Sequence, residues 1–219
     1  MSRLILASES PRRKELLSSV GVQFNIVPAY LDERILPREE PANAVLRCAE
    51  EKARAVGRKF KDKFILAADT VVVAENLPED DEAALEAGAS RPITILGKPR
   101  DENEAAEMLE FLQGREHLVI TGFCLSCVNE NYSVCRVVET VVKLMPLSAE
   151  DITAYVATGE PMGKAGGYAI QGLAGAFVES IRGSYSNVIG LPLAQTLVEL
   201  ESCGLWSTSD MVPITAKVR

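Results

Sequence analysis

The chain holds one histidine, His117, in 219 residues. That scarcity excludes every mechanism and every metal centre that needs two histidines. No stretch approaches the ~20 consecutive apolar residues of a membrane span. The apolar stretch 4–7 is too short, and polar residues follow it too soon, to form the core of a signal peptide. The expectation is a cytoplasmic protein with no membrane partner. Positive charge is also in deficit: 23 Lys and Arg stand against 31 Asp and Glu, a formal net charge of −8. This argues against a nucleic-acid binder, which presents a basic face. It leaves room for a small anionic ligand held by a local basic cluster. The five cysteines are odd in number and irregular in spacing, which reads as reduced thiols. Cys124 and Cys127 form a C-x-x-C, but within the strand-like run "TGFCLSCV" and without a second ligand pair, so they read as core thiols rather than a metal knuckle. No internal repeat is present.

What is there reads as alternating strands and helices. Hydrophobic residues make up 47% and charged residues 25%, ordinary for a globular domain. Residues 3–7 predict a buried strand and 11–20 a helix striped by Leu16, Leu17 and Val20, stopped at Gly21. A short strand is expected over 22–27, and a helix from Pro41 to about Lys59. The run "FILAADTVVV" (64–73) has the near-continuous apolar character of a strand covered on both faces. Residues 74–95 turn acidic and read as a surface insertion. Asp101 with Glu104, and Ser148 with Asp151, are capping pairs for two further helices. A hairpin is predicted from 117–128 and 132–144, and a last helix near 189–202. This succession, without a regular βαβ period, predicts an α/β or α+β fold with a mixed sheet over 1–205, followed by an irregular tail over 206–219.

Four features depart from folding logic. Ser10 and Pro11 open a helix well, yet Arg12, Arg13 and Lys14 follow in its first turn, where the helix dipole favours acids. They are either surface cations or the lining of an anion site. Free amides, the hydroxyls of Ser8 and Ser10 and two guanidinium forks favour the anion. Lys52 lies on the apolar stripe of its helix, between Cys48, Ala49 and Val56, either snorkelling or facing a cleft. Asp69 interrupts an apolar strand, which is costly unless the carboxylate is paired or binds a metal. "GKAGGYAIQG" permits close backbone approach to a ligand, and Lys164 adds charge. Its spacing matches neither a Walker A loop nor a dinucleotide fingerprint. Together these features suit a polyphosphate substrate with a divalent metal.

The segments "ASESPRRKELL", "AADTVVV", "LGKPRDENEAAEMLEFLQGREHLVITG", "YVATGEPMGKAGGYAIQG" and "GSYSNVIGLPL" resemble, in order and over nearly the whole chain, the Maf family of nucleoside triphosphate pyrophosphatases. The resemblance implies an elongated two-lobed α/β fold with a central cleft, similar to inosine triphosphate pyrophosphatase (Ham1-like). It implies hydrolysis between the α- and β-phosphates, giving a nucleoside monophosphate and pyrophosphate with Mg2+ or Mn2+. It further implies a homodimer, and links to septum formation and to removal of non-standard nucleotides. By motif, Asp69 matches the general base. Ser8, Arg12, Arg13, Glu33, Lys52, Lys98 and Lys164 match the polar set of the cleft, with Glu33 sharing the metal with Asp69. Arg12, Thr70 and Gln171 match the branch acting on dTTP and UTP, where the branch preferring methylated GTP has Trp at the first of these positions. Lys14 matches no functional position.

Two departures stand out. Gly163 replaces the acidic residue that usually precedes the lysine of this motif, removing a carboxylate from the cleft. The 74–95 segment is longer than the family's usual link. The first departure keeps a rival reading open, a nucleotide-binding regulator with weak turnover. A third is a phosphatase that removes only the terminal phosphate.

Overall fold

The computed structural model describes residues 2–31, 34–36, 38–76 and 92–211. Among the described residues, seven strands and six α-helices make a mixed α/β fold, as the alternating pattern predicts. The strands are β1 (Leu4–Leu6), β2 (Asn25–Ile26), β3 (Phe64–Glu75), β4 (Ile93–Leu96), β5 (Glu116–Cys127), β6 (Tyr132–Leu144) and β7 (Val178–Arg182). The helices are α1 (Pro11–Ser19), α2 (Pro41–Gly57), α3 (Glu102–Leu112), α4 (Ala149–Val156), α5 (Tyr185–Ile189) and α6 (Leu193–Ser202). Strand order is β2-β1-β3-β5-β6-β7, with β4 also paired to β3. The chain divides into two compact units: 1–70, 121–138 and 184–219 form the first, and 71–120 with 139–183 the second.

In the first unit, β1 lies parallel to β3 (Leu4 opposite Phe64, Leu6 opposite Leu66) and to β2. A parallel strand covered on both faces needs apolar residues throughout, and 64–68 are all buried. Helix α2 buries Ala44, Val45, Cys48, Ala49, Lys52, Ala53 and Val56, a stripe at helical spacing. Its alanines let it pack close on Ile5, Ala7, Ile65 and Ala67. Trp206 donates its indole N–H to the carbonyl of Val20.

In the second unit, β4 runs antiparallel to the end of β3, with Val72 opposite Leu96 and Glu75 opposite Ile93. Both ends of the span read as an acidic insertion are therefore paired strand, because Ala74, Ile93 and Ile95 continue an apolar run; residues 77–91 lie outside the described residues. β7 pairs antiparallel with β6. The capping box at Ser148 and Asp151 is present. At α3 only half of one forms: Asp101 accepts the Glu104 amide, but Glu104 turns its carboxylate to Arg100 instead.

Three expectations need correction. The strand expected over 22–27 is only Asn25–Ile26. The last helix is two: α5 ends at Gly190, and Pro192 precedes α6. The cysteines are not all thiols, since Cys124 and Cys135 form a disulfide between β5 and β6, with Cα atoms 4.1 Å apart. Spacing along the chain did not reveal this pair because the hairpin turn at 128–131 sets the pairing register. Cys48, Cys127 and Cys203 are free. Among the described residues, no helix is long and apolar enough to cross a membrane.

Candidate active site

The site in the first unit is built from the carboxyl end of β1. Ala7 donates its amide to the carbonyl of Leu66, and the chain then leaves the strand at Ser8 and enters α1. Ser10 caps that helix by accepting the Arg13 amide at 3.4 Å, and Ser8 Oγ accepts the Ser10 amide at 3.2 Å. Of the three cations, the structure separates the roles. Lys14 is exposed and Arg12 half-buried, while Arg13 is buried. Burial holds the Arg12 pKa below its ordinary value, against the opposing charge of Glu15.

Arg13 organises the cluster. Its Nε donates to the Gly190 carbonyl at 2.7 Å, Nη1 to Ser8 Oγ at 3.2 Å and Nη2 to Thr70 Oγ1 at 3.1 Å. Thr70 Oγ1 lies 2.9 Å from Thr121 Oγ1, which donates to the Asn187 carbonyl at 3.3 Å. The Thr70 hydroxyl also lies 3.4 Å from the Gly190 carbonyl, so the two threonines link the guanidinium to the carbonyls of Gly190 and Asn187, both of which can only accept. Gly190 holds φ at +120°, which presents its carbonyl to Arg13 and leaves no room for strain-free substitution.

Lys52 and Asp69 form the second feature. Lys52 Nζ donates to Asp69 Oδ1 at 2.6 Å and to the Ala68 carbonyl at 3.4 Å, with both residues buried. Each explains the other's burial, since neither ion is tolerated alone in an apolar interior. One turn from Lys52 on α2 sits Cys48, whose thiol pKa is pushed up to about 11 by burial and by the Asp69 charge.

In the second unit, Lys98 is exposed just after β4 and Gln171 is exposed, while Lys164 is half-buried. The Gly166 amide donates to the Gly97 carbonyl at 3.0 Å, which joins the backbones of the "GKP" and "GKAGG" segments. Lys164 Nζ donates to the Met162 carbonyl at 3.3 Å. Tyr168, buried, hydrogen-bonds His117 Nε2 at 2.8 Å. Glu33 lies outside the described residues.

Sequence reasoning singled out Ser8, Arg13, Lys52, Asp69 and Thr70; the first unit joins Ser8, Arg13 and Thr70 in one hydrogen-bonded cluster and Lys52 with Asp69 in a separate pair. It passed over Thr121, Asn187 and Gly190. Thr121 carried a signal, a polar residue inside an apolar strand, like Asp69. The other two contribute backbone carbonyls, which no side-chain pattern announces. Among the described residues, no group of three or more His, Cys, Asp and Glu could hold a metal. In the first unit, Asp69 offers a carboxylate, which fits Mg2+ or Mn2+, cations bound through one or two carboxylates plus water and phosphate oxygens.

Fold and site thus define a class: a mixed α/β protein with a buried arginine–hydroxyl cluster and a buried lysine–carboxylate pair on the elements that meet β3. The chain belongs to the Maf-like protein family, whose model matches residues 3–203. It is 46% identical over 207 residues to the dTTP/UTP pyrophosphatase of Anaeromyxobacter dehalogenans strain 2CP-C, covering 92% of this chain and 94% of that one. It is 42% identical over 205 residues to the dTTP/UTP pyrophosphatase of Syntrophotalea carbinolica, covering 93% and 86%. To the protein of that name from Geobacillus sp. strain WCH70 it is 42% identical over 204 residues, covering 93% and 100%.

Proposed function

We propose that the protein is a nucleoside triphosphate pyrophosphatase that cleaves dTTP and UTP to the monophosphate and pyrophosphate. The family and the names of its relatives support the reaction. The observation that carries the chemistry is the buried Lys52–Asp69 pair. Lys52 engages Oδ1 of Asp69 and leaves Oδ2 to accept a proton from the attacking water. Water adds to the α-phosphorus, the α–β bridging bond breaks, and pyrophosphate departs with the electron pair. By the family resemblance, the charge on the leaving group falls to Arg12, Arg13, Lys52, Lys98 and Lys164. Arg12, Thr70 and Gln171 select the base. Asp69 and Glu33 are the residues that would hold Mg2+ or Mn2+, which neutralises phosphate charge when bound. A homodimer, a cytoplasmic location and a link to septum formation extend this reading on resemblance alone.

Gly163 favours one rival, a nucleotide-binding regulator with weak turnover. Incubation with a panel of nucleoside triphosphates and Mg2+ or Mn2+ separates the two. Turnover of dTTP and UTP that disappears in Asp69→Asn supports the enzyme. Tight nucleotide binding without turnover supports the regulator.

A further inference from the structure

The loop that carries Gln171 is held by a side chain to which neither motif nor resemblance gave a role. Glu160, half-buried in the turn after α4, accepts the Leu173 amide on Oε2 at 2.9 Å. Its Oε1 accepts the Ala174 amide at 3.2 Å and the Tyr155 hydroxyl at 2.9 Å. The Tyr155 oxygen in turn accepts the Ala169 amide at 3.3 Å. Two side chains therefore tie both ends of the 169–174 segment, and Gln171 sits at its centre. The Gly172 amide closes the turn onto the Ala169 carbonyl at 2.9 Å, and a Cβ on Gly172 would overlap the Glu160 carboxylate.

A loop anchored only for stability would bury its side chains. Here Gln171 is exposed and Leu173 is 58% exposed, so the brace orders backbone beneath side chains that add little to the core. Hydrogen bonds to an ionised acceptor are stronger than neutral ones. Burial works to raise the Glu160 pKa, but the two amides, the Tyr155 hydroxyl and the charge of Lys164 outweigh it and hold the carboxyl below its ordinary range. An ordered loop loses less entropy when a ligand meets it.

We propose that Glu160 is a positioning residue for nucleotide selectivity: through the amides of Leu173 and Ala174 and the hydroxyl of Tyr155, it fixes the backbone from which Gln171 reads the base. This rests on the reading of Gln171 given above. The variants are Glu160→Gln, Tyr155→Phe, Gln171→Ala and the Glu160→Gln/Gln171→Ala double. Glu160→Gln keeps the size but turns an amide NH2 toward a backbone N–H, so one brace contact is lost. Tyr155→Phe removes only the hydroxyl, and carries the test if Glu160→Gln does not fold.

Steady-state kinetics on UTP, dTTP and CTP are measured with melting temperatures and amide exchange over 169–174. The expected result is a fall of roughly tenfold in the UTP-to-CTP ratio of kcat/KM in Glu160→Gln, carried by KM for UTP. Gln171→Ala gives a similar fall, and the double variant adds nothing further. Exchange at Leu173 and Ala174 quickens while the melting temperature barely moves. Tyr155→Phe shifts the ratio in the same sense by less. If Gln171→Ala lowers the ratio but Glu160→Gln slows all three nucleotides alike, Glu160 is structural only and the proposal is overturned. If Gln171→Ala leaves the ratio unchanged, the reading of Gln171 fails and the proposal falls with it.

Discussion

Lys52 Nζ lies 2.6 Å from Asp69 Oδ1, with the two side chains only 5% and 11% exposed. An ammonium on the apolar stripe of α2 meets the buried carboxylate of the central strand β3. Removing either partner leaves the other as an uncompensated buried charge. Lys52→Met is expected to lose about 3–5 kcal/mol of stability, read from urea unfolding. Asp69→Asn keeps an oxygen for the ammonium and should lose less, about 1–2 kcal/mol. Its turnover should nevertheless fall on the order of a thousandfold or more. Retained turnover in a folded Asp69→Asn would remove Asp69 from its role as base.

Gly163 offers a gain-of-function test. Its φ is +73° and no atom lies within 4 Å of where a Cβ would stand, so a side chain has space. Aspartate tolerates the left-handed region better than most residues, at a cost of about 1 kcal/mol. Gly163→Asp is expected to lower the Mg2+ concentration for half-maximal turnover several-fold. An unchanged requirement would show that a carboxylate here does not assist metal binding.

His117 sets a pH dependence. Burial lowers its pKa from 6.5 to about 4. Between those values the unfolded chain binds the proton and the folded chain does not. The stability is therefore complete above pH 6.5 and declines as pH falls toward 4. At pH 5 the loss amounts to about 2 kcal/mol. Urea unfolding at pH 7 and pH 5 should show that much more acid loss in the native chain than in His117→Gln; equal losses would contradict it.

The cysteines divide by position. In the folded protein, Cys203 should alkylate while buried Cys48 and Cys127 stay unmodified; for Cys48 the high thiol pKa adds to the protection. The intact mass should be two hydrogens lighter than that of the fully reduced chain, from the Cys124–Cys135 bond. Reducing that bond reopens a short loop and should cost about 2–3 kcal/mol. Three alkylated thiols are expected in the unreduced, unfolded chain; five would contradict the pairing.

The sequence made legible what each element carries on its own. The apolar run of β3, the stripe of α2, the Ser148–Asp151 capping box and the out-of-place Lys52 and Asp69 all follow from local pattern. What it left hidden is the pairing of distant segments. Whether Lys52 snorkels or turns inward depends on Asp69 lying 17 residues away on the facing strand. Arg13 read as a ligand-facing cation, yet it also braces Ser8, Thr70 and Gly190, the last 177 residues on. Backbone acceptors at Gly190 and Asn187, and the cross-strand disulfide, exist only once register and loop geometry are set.

The central claim is that the bond cleaved is the one between the α- and β-phosphates. The most direct test is identification of the products from UTP and dTTP with Mg2+ by phosphorus NMR. The account predicts nucleoside monophosphate and pyrophosphate in equal amounts, with no diphosphate formed. Nucleoside diphosphate with inorganic phosphate would contradict it.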